Sequence, residues 1–303
     1  MKYKQSGFTL IELMIGLLLG MALIAGVVKV FIDSGNSFRK QKTLSYLVED
    51  GRYVMEVLAR EFRRAGFLRN RYAAGGTADS VFIPDSGAGS NGVLDSGIDL
   101  AGREYIKGDF NKDGFEDAYD INHVVFRYQL NDSNDLAFNN PNYALSPCTR
   151  NIHLTDGEDP VNDKIVVTIY FYVALDSTNT PVLYCKAKRE NLDDSSKNKT
   201  SSAVTLISNV EKLFVLYGHD KDGDGFANQY LRADQVDDQV DPFGWEKIVS
   251  VRLYLVLASE EKNVVLKTPG YTLDGRSYTV NAPDDKRLYK VFSTTIALRN
   301  DEK

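Results

Sequence analysis

From Phe8 to Val28 the chain reads FTLIELMIGLLLGMALIAGVV, with Glu12 as its only ionisable side chain. No other stretch limits the fold as strongly. These 21 residues would form a helix of about 31 Å, the thickness of a bilayer's hydrocarbon layer. A helix apolar on every side cannot face water, so it spans a membrane or is buried whole. A secretory signal peptide would end its apolar run at a small-residue cleavage site with a change of composition. Ala22 and Ala25 come near that pattern. The helical pattern, however, continues through Lys29, Phe31 and Ile32, which favours a retained anchor. Lys2 and Lys4 precede the run and put the N-terminus in the cytoplasm, with everything after the run outside.

Glu12 disrupts a plain anchor, because a carboxylate in hydrocarbon costs a few kcal/mol or more. The residues around it, KQSGFTLIEL at positions 4 to 13, resemble the type IV prepilin signature. In that family a prepilin peptidase cuts after the glycine on the cytoplasmic side. The new N-terminal residue is then methylated. The resemblance places cleavage after Gly7 and methylation on Phe8, and it implies that Glu12 answers the α-amino group of a neighbouring subunit's Phe8. Gly16 and Gly20 form a small-xxx-small pair that suits helix packing or simply local flexibility.

Beyond DSGNSF (residues 33–38), which could break or loosen the helix, a stripe recurs at steps of four and three: Leu44, Val48, Gly51, Met55, Leu58, Phe62 and Ala65. Glu49, Arg52, Glu56, Arg60, Glu61 and Arg63 fall off it, with Glu56 and Arg60 spaced for an i,i+4 pair. Gly66 stops the pattern as a C-terminal cap would. The stripe predicts one helix from about Phe8 to Ala65, half membrane anchor and half amphipathic, packed on a sheet of the same chain. A short coiled coil is the other reading.

Strands are expected at Val81–Pro84, His123–Leu130, Lys164–Leu175, Val182–Lys188, Lys212–Gly218, Ile248–Ala258, Tyr278–Val280 and Leu288–Ala297. Val251, Leu253, Leu255 and Leu257 would share one face, and Arg252, Tyr254 and Val256 the other. Residues 73–103 and 189–202 read as polar loops. The fold class is therefore α+β: a long N-terminal helix packed on an antiparallel β-sheet with long loops, as in type IV pilins. The expected divisions are a leader (1–7), a membrane and assembly helix (8–32), an amphipathic helix (33–66) and a β-rich globular domain (67–303).

Within the pilins, LSYLVEDGRYVMEVLAREFRRAGF (44–67), VEKLFVLYGHDKDGDGFANQYLRADQV (210–236) and YKVFSTTIALRN (289–300) resemble PilW-type minor pilins. That resemblance implies a low-abundance subunit that helps prime type IV pilus assembly and sits near the tip, serving motility, adhesion or DNA uptake. The implied partners are other minor pilins, the major pilin, a PilY-type tip protein and the prepilin peptidase. The implied location is the bacterial inner membrane, with a periplasmic domain, and later the pilus. The J-type pseudopilin of type II secretion shares a similar helix and is the alternative.

Two acidic loops invite a metal. In DFNKDGFEDAYD (109–120), Asp109, Asn111, Asp113 and Gly114 match positions 1, 3, 5 and 6 of a calcium loop. The Phe115 carbonyl, Asp117 and Asp120 would fill its later positions. DKDGDG (220–225) offers Asp220, Asp222 and Asp224 in the same frame, but position 12 is Leu231. Neither loop lies between helices, and Asp/Gly turns have the same composition. Calcium and a plain turn both fit.

Cys148 and Cys185 lie in the part placed outside the cytoplasm, where oxidation favours a disulfide over two buried thiols. Such a bridge would stabilise the fold by about 4 kcal/mol on the chain-entropy view.

No G-x-S-x-G, H-E-x-x-H, Walker A or G-x-G-x-x-G motif appears, so the chain is expected to catalyse nothing. A divalent site built from His219 and the aspartates is the weaker enzymatic reading. A net charge of −6, from 36 basic and 42 acidic residues, disfavours a bulk nucleic-acid binder. Arg60, Arg63, Arg64, Arg69 and Arg71 cluster near the helix end, as a solvated face or inter-subunit pairing would have them.

Overall fold

The structure is a computed structural model and describes residues 9–66, 100–103, 123–129, 146–149, 152, 154, 158, 165–232, 235–236, 247–267, 270–280 and 283–298. One helix, α1 (Leu10–Phe62), precedes twelve strands: β1 (Leu100–Arg103), β2 (His123–Gln129), β3 (Ile165–Leu175), β4 (Pro181–Asn191), β5 (Lys199–Thr200), β6 (Val204–Ser208), β7 (Val210–His219), β8 (Gln229–Leu231), β9 (Ile248–Ala258), β10 (Tyr271–Leu273), β11 (Arg276–Tyr278) and β12 (Tyr289–Ala297). All strand pairings are antiparallel. The α+β expectation therefore holds.

The chain enters α1 through a capping box. Thr9 accepts the Glu12 amide, and the Glu12 side chain reaches back to the Thr9 amide. The helix then runs 53 residues without interruption, through DSGNSF, which does not break it. A helix of that length spans about 80 Å. It ends in a turn at Arg63–Gly66, where Gly66 takes φ +73° and donates to the Arg127 carbonyl at 2.9 Å. The left-handed backbone expected of a glycine cap is present.

Gly51, Met55, Leu58, Phe62 and Ala65 of the expected stripe are buried. At its start Thr43 and Leu47 are buried instead, whereas Leu44 is 41% exposed and Val48 half-buried. Gly51 sits against the Phe292 ring so closely that an added Cβ would lie 2.2 Å from it. Leu47 and Thr43 lie one and two turns before Gly51 on the same side of the helix. Val54, Val57 and Glu61 join the buried face, which is wider than an a/d seam. Glu61, expected on the polar side, is fully buried, and the Arg60 Nε lies 3.8 Å from it. Arg60 thus meets its chain neighbour rather than Glu56.

The strands form two principal sheets. One is β1-β2-β3-β4, with β5 and β6 both pairing with the far edge of β4; the other is β12-β9-β7-β8. The inward faces of both sheets meet the second half of α1 in one core. Phe62 lies 5.0 Å from Phe126 and 6.0 Å from Phe171, ring centre to ring centre. Val251, Leu253, Leu255 and Leu257 supply that core from β9, as their alternation predicts. On the opposite face of the second sheet, Phe214, Leu216 and Val256 pack with Leu273 of the β10–β11 hairpin. That hairpin escaped the sequence reading, because only Tyr278 of it lay in an expected strand.

Several boundaries differ from expectation. Strand β4 extends to Asn191, and Lys199–Thr200 returns to pair with it. Residues 189–202 are thus not the plain loop their polarity suggests. The cause is a buried ion pair: Arg189 is fully buried, binds the Glu158 carboxylate and donates to the Lys197 carbonyl. The end of the expected 73–103 loop forms β1, paired with β2. Val81–Pro84 lies outside the described residues.

Cys148 and Cys185 form the expected disulfide, with Cα atoms 5.4 Å apart and both residues fully buried. The bridge ties a short turn at Pro147–Thr149 to β4.

Candidate functional site

The first candidate site is the start of α1. Gly7 and Phe8 lie outside the described residues, and Glu12 lies within them. From Leu10 to Lys42 not one residue is buried by the rest of the chain. This surface includes large apolar side chains at Leu10, Leu18, Leu23 and Phe31, exposed by 66 to 79%. An apolar surface of this extent requires a partner other than water. The helix is long and apolar enough to cross a membrane.

In this setting the Glu12 carboxylate takes hydrogen bonds from the Thr9 amide at 3.4 Å and the Thr9 hydroxyl at 3.2 Å. Both donors are neutral. Among the described residues no ion pair includes Glu12. The next basic residue along the helix is Lys29, 17 positions away, or about 25 Å along the axis. The capping box therefore satisfies the geometry of the carboxylate and leaves its charge unanswered among the described residues.

The second candidate site is the loop after β7. Asp220, Asp222 and Asp224 each bring a carboxylate oxygen within 4.8 Å of the others. The loop folds this way because Asp220 accepts the Gly223 amide at 2.7 Å and the Gly225 amide at 2.9 Å. Asp224 accepts the Phe226 amide at 2.8 Å, and Asn228 closes the far side by accepting the Lys221 amide at 2.6 Å. Gly223 and Gly225 take φ +79° and +86°, a backbone that side chains rarely adopt. The Gly225 amide, followed by that of Gly223, holds the Asp220 carboxyl below its ordinary range, against the opposing effect of burial.

His219 ends β7, although the sequence suggested a loop. By strand alternation it follows Leu213, Val215 and Tyr217 on the helix side of the sheet. It is buried, and among the described residues neither ring nitrogen has a hydrogen-bond partner. Burial lowers its pKa first, the Lys247 cation adds to this, and Asp220 opposes it. His219 is not part of the aspartate group, so the weaker enzymatic reading loses its imidazole. The other acidic loop, Asp109, Asn111, Asp113, Phe115, Asp117 and Asp120, lies outside the described residues. Of the arginine cluster, Arg64 packs over the Tyr128 ring at 5.7 Å, and Arg69 and Arg71 also lie outside them.

Two family models match the chain. Residues 2–28 match the prokaryotic N-terminal methylation motif, and residues 170–300 match type IV pilus-assembly protein W. The first covers Gly7, Phe8, Glu12 and the start of α1; the second runs from within β3 through β12. No curated protein and no solved structure matches the chain. The matches point to a structural pilus component, and the motif and apolar helix fit an anchor in the inner membrane. From opposite ends of one sequence, the two matches support a type IV pilus-related minor pilin.

Proposed function

We propose that this minor pilin helps prime assembly of a type IV pilus and is retained near its tip. In this reading the prepilin peptidase cleaves after Gly7, and Phe8 becomes the methylated N-terminus. The N-terminus faces the cytoplasm and the domain faces the periplasm until the subunit enters the filament. Other minor pilins, the major pilin and a PilY-type tip protein are its neighbours.

The observation that carries this is Glu12. Its carboxylate sits at the head of an apolar helix with neutral donors and, among the described residues, no cation. A charge placed in hydrocarbon needs a counter-charge. A neighbouring subunit's Phe8 ammonium, created by cleavage, has the right sign and the right depth. Glu12→Ala should insert in the membrane and be cleaved normally yet fail to enter filaments, and Glu12→Gln should fail likewise. Intact mass reads the cleavage and filament immunoblots read the incorporation. Normal incorporation of both variants would contradict the pairing. A retained leader in the wild type would remove the pilin reading itself.

Calcium binding at the loop of Asp220, Asp222 and Asp224 is a second, smaller proposal. Three converging carboxylates suit an ion that takes six to eight oxygens. Their mutual repulsion is relieved when an ion binds. Calorimetric titration of the purified full chain with calcium tests it. Heat lost in Asp222→Ala supports the site, and no heat at several millimolar leaves a loop closed by its own amides.

A further inference from the structure

Strand β12 is an edge strand unlike the others in the molecule. It pairs with β9 over nine consecutive residues without a bulge. The other described edge strands are short: β1 has four residues, β5 two and β8 three. Strand β6 has five and meets β4 with a register shift. Brevity, bulges, charges, prolines and a covering helix or loop are the usual protections of a sheet edge. From Val291 to Ala297 the sequence VFSTTIA contains no charge, proline or glycine.

The direction of each backbone group can be assigned. The ladder continues at both ends, with the Ser259 amide donating to the Leu288 carbonyl and the Leu298 amide to the Val249 carbonyl. Leu288 and Leu298 thus face β9, and by alternation so do Lys290, Phe292, Thr294 and Ile296. Val291, Ser293, Thr295 and Ala297 then turn their N–H and C=O groups away from the sheet. None of these outward groups has a hydrogen-bond partner among the described residues. Ser293, Thr295 and Ala297 are exposed. Helix α1 lies on the Phe292 side of the strand and supplies no hydrogen bond to the edge.

We propose that the outward edge of β12 is a docking site for an extended, uncharged strand of a different subunit. Main-chain pairing at Val291, Ser293, Thr295 and Ala297 would supply the contact, and the exposed Ser and Thr side chains would admit small β-branched or polar neighbours. Placing the occupant on a different subunit rests on the minor-pilin reading; the open edge itself does not.

The test is hydrogen exchange on the full-length chain in detergent, alone and within the assembly recovered with the other pilins of its cell. Alone, the amides of Val291, Ser293, Thr295 and Ala297 should exchange freely, while those of Phe292, Thr294 and Ile296 are protected. In the assembly the odd-numbered set should slow by roughly tenfold or more. Unchanged exchange in an assembly whose subunits are correctly cleaved after Gly7 overturns the docking and spares the pilin reading. Protection that instead rises with the concentration of the isolated chain assigns the edge to a second copy and also overturns the proposal. Ser293→Pro removes only an outward N–H. It should lower recovery of the assembly at least tenfold without changing β9 exchange. Ser293→Lys, which keeps the backbone donor and adds a charge, should weaken recovery in the same direction. Full recovery of both variants would count against the site.

Discussion

The two halves of α1 are one continuous helix with opposite solutions to the same physical problem. From Leu10 to Lys42 the chain covers none of its residues, and the apolar side chains of the first part point in every direction. From Thr43 onward the helix is amphipathic, and its apolar face is sealed by the chain's own two sheets. The first surface is closed only by lipid or by other helices, the second by residues far along the same sequence. Between them lies DSGNSFRKQK, a polar stretch of ten residues, about 15 Å of helix whose residues are all exposed. Total hydrophobicity therefore says little about where a helix is buried. The angular distribution of its apolar residues decides which environment it needs.

The largest expected break in this comparison is Phe62→Ala. Phe62 is fully buried between Phe126 and Phe171, and truncation of such a ring costs about 3–5 kcal/mol. The domain's melting temperature should fall by about 6–20 °C, taking roughly 2–4 °C per kcal/mol for a domain of this size. Leu18→Ala removes as apolar a side chain from the other half. Because Leu18 is 66% exposed in the isolated chain, the same melt should not move. Equal shifts would mean that the outer half packs on the domain.

Glycines sharpen the comparison at smaller scale. At Gly51 an added Cβ falls 2.2 to 2.6 Å from three atoms of the Phe292 ring. Overpacking of this kind costs about 1–3 kcal/mol, offset in part by alanine's helix preference of about 1 kcal/mol. Gly51→Ala should thus lower stability modestly, and a larger residue should do so more. At Gly20 nothing lies within 4 Å of the added atom. Gly20→Ala should leave the domain melt unchanged. If filaments still fail to incorporate Gly20→Ala, close helix approach between subunits is the remaining explanation.

How legible each half was follows from the same physics. The outer half was plain in the sequence because a bilayer reads only length and polarity, and because Gly7, Phe8 and Glu12 form a motif with fixed spacing. The inner helix was legible as a helix and so was most of its facing, but the contact of Gly51 with Phe292, some 240 positions later, is one that no local pattern carries. The same applies to Arg189, read in a polar loop and found buried against Glu158. A local pattern records polarity, and the partner that makes burial tolerable lies elsewhere. The alternation of β9 was readable because each of its faces packs against something apolar. In the acidic loop the carboxylate spacing was visible, but closure by the Gly223 and Gly225 amides depends on backbone angles that composition only hints at. The open edge of β12 was invisible for another reason: an edge is defined by the absence of a neighbour, which no residue in the strand encodes.

The smallest expected effect lies at the boundary between the halves. Arg39 belongs to the uncovered half, and its Nε stands 3.5 Å from a Glu261 carboxylate oxygen in the turn after β9. Both side chains are more than half exposed, at 53% and 56%. A pair in that position is screened by solvent and must hold two long side chains still, so its worth is about 0–1 kcal/mol. A double-mutant cycle with Arg39→Ala and Glu261→Ala should give a coupling of about 0.5 kcal/mol or less, declining further as salt is raised. A coupling that persisted in high salt at several times that size would move the boundary. It would mean that the domain grips α1 a full turn earlier than Thr43, and the polar stretch would then belong to the rigid part of the molecule rather than to the stand-off between the two environments.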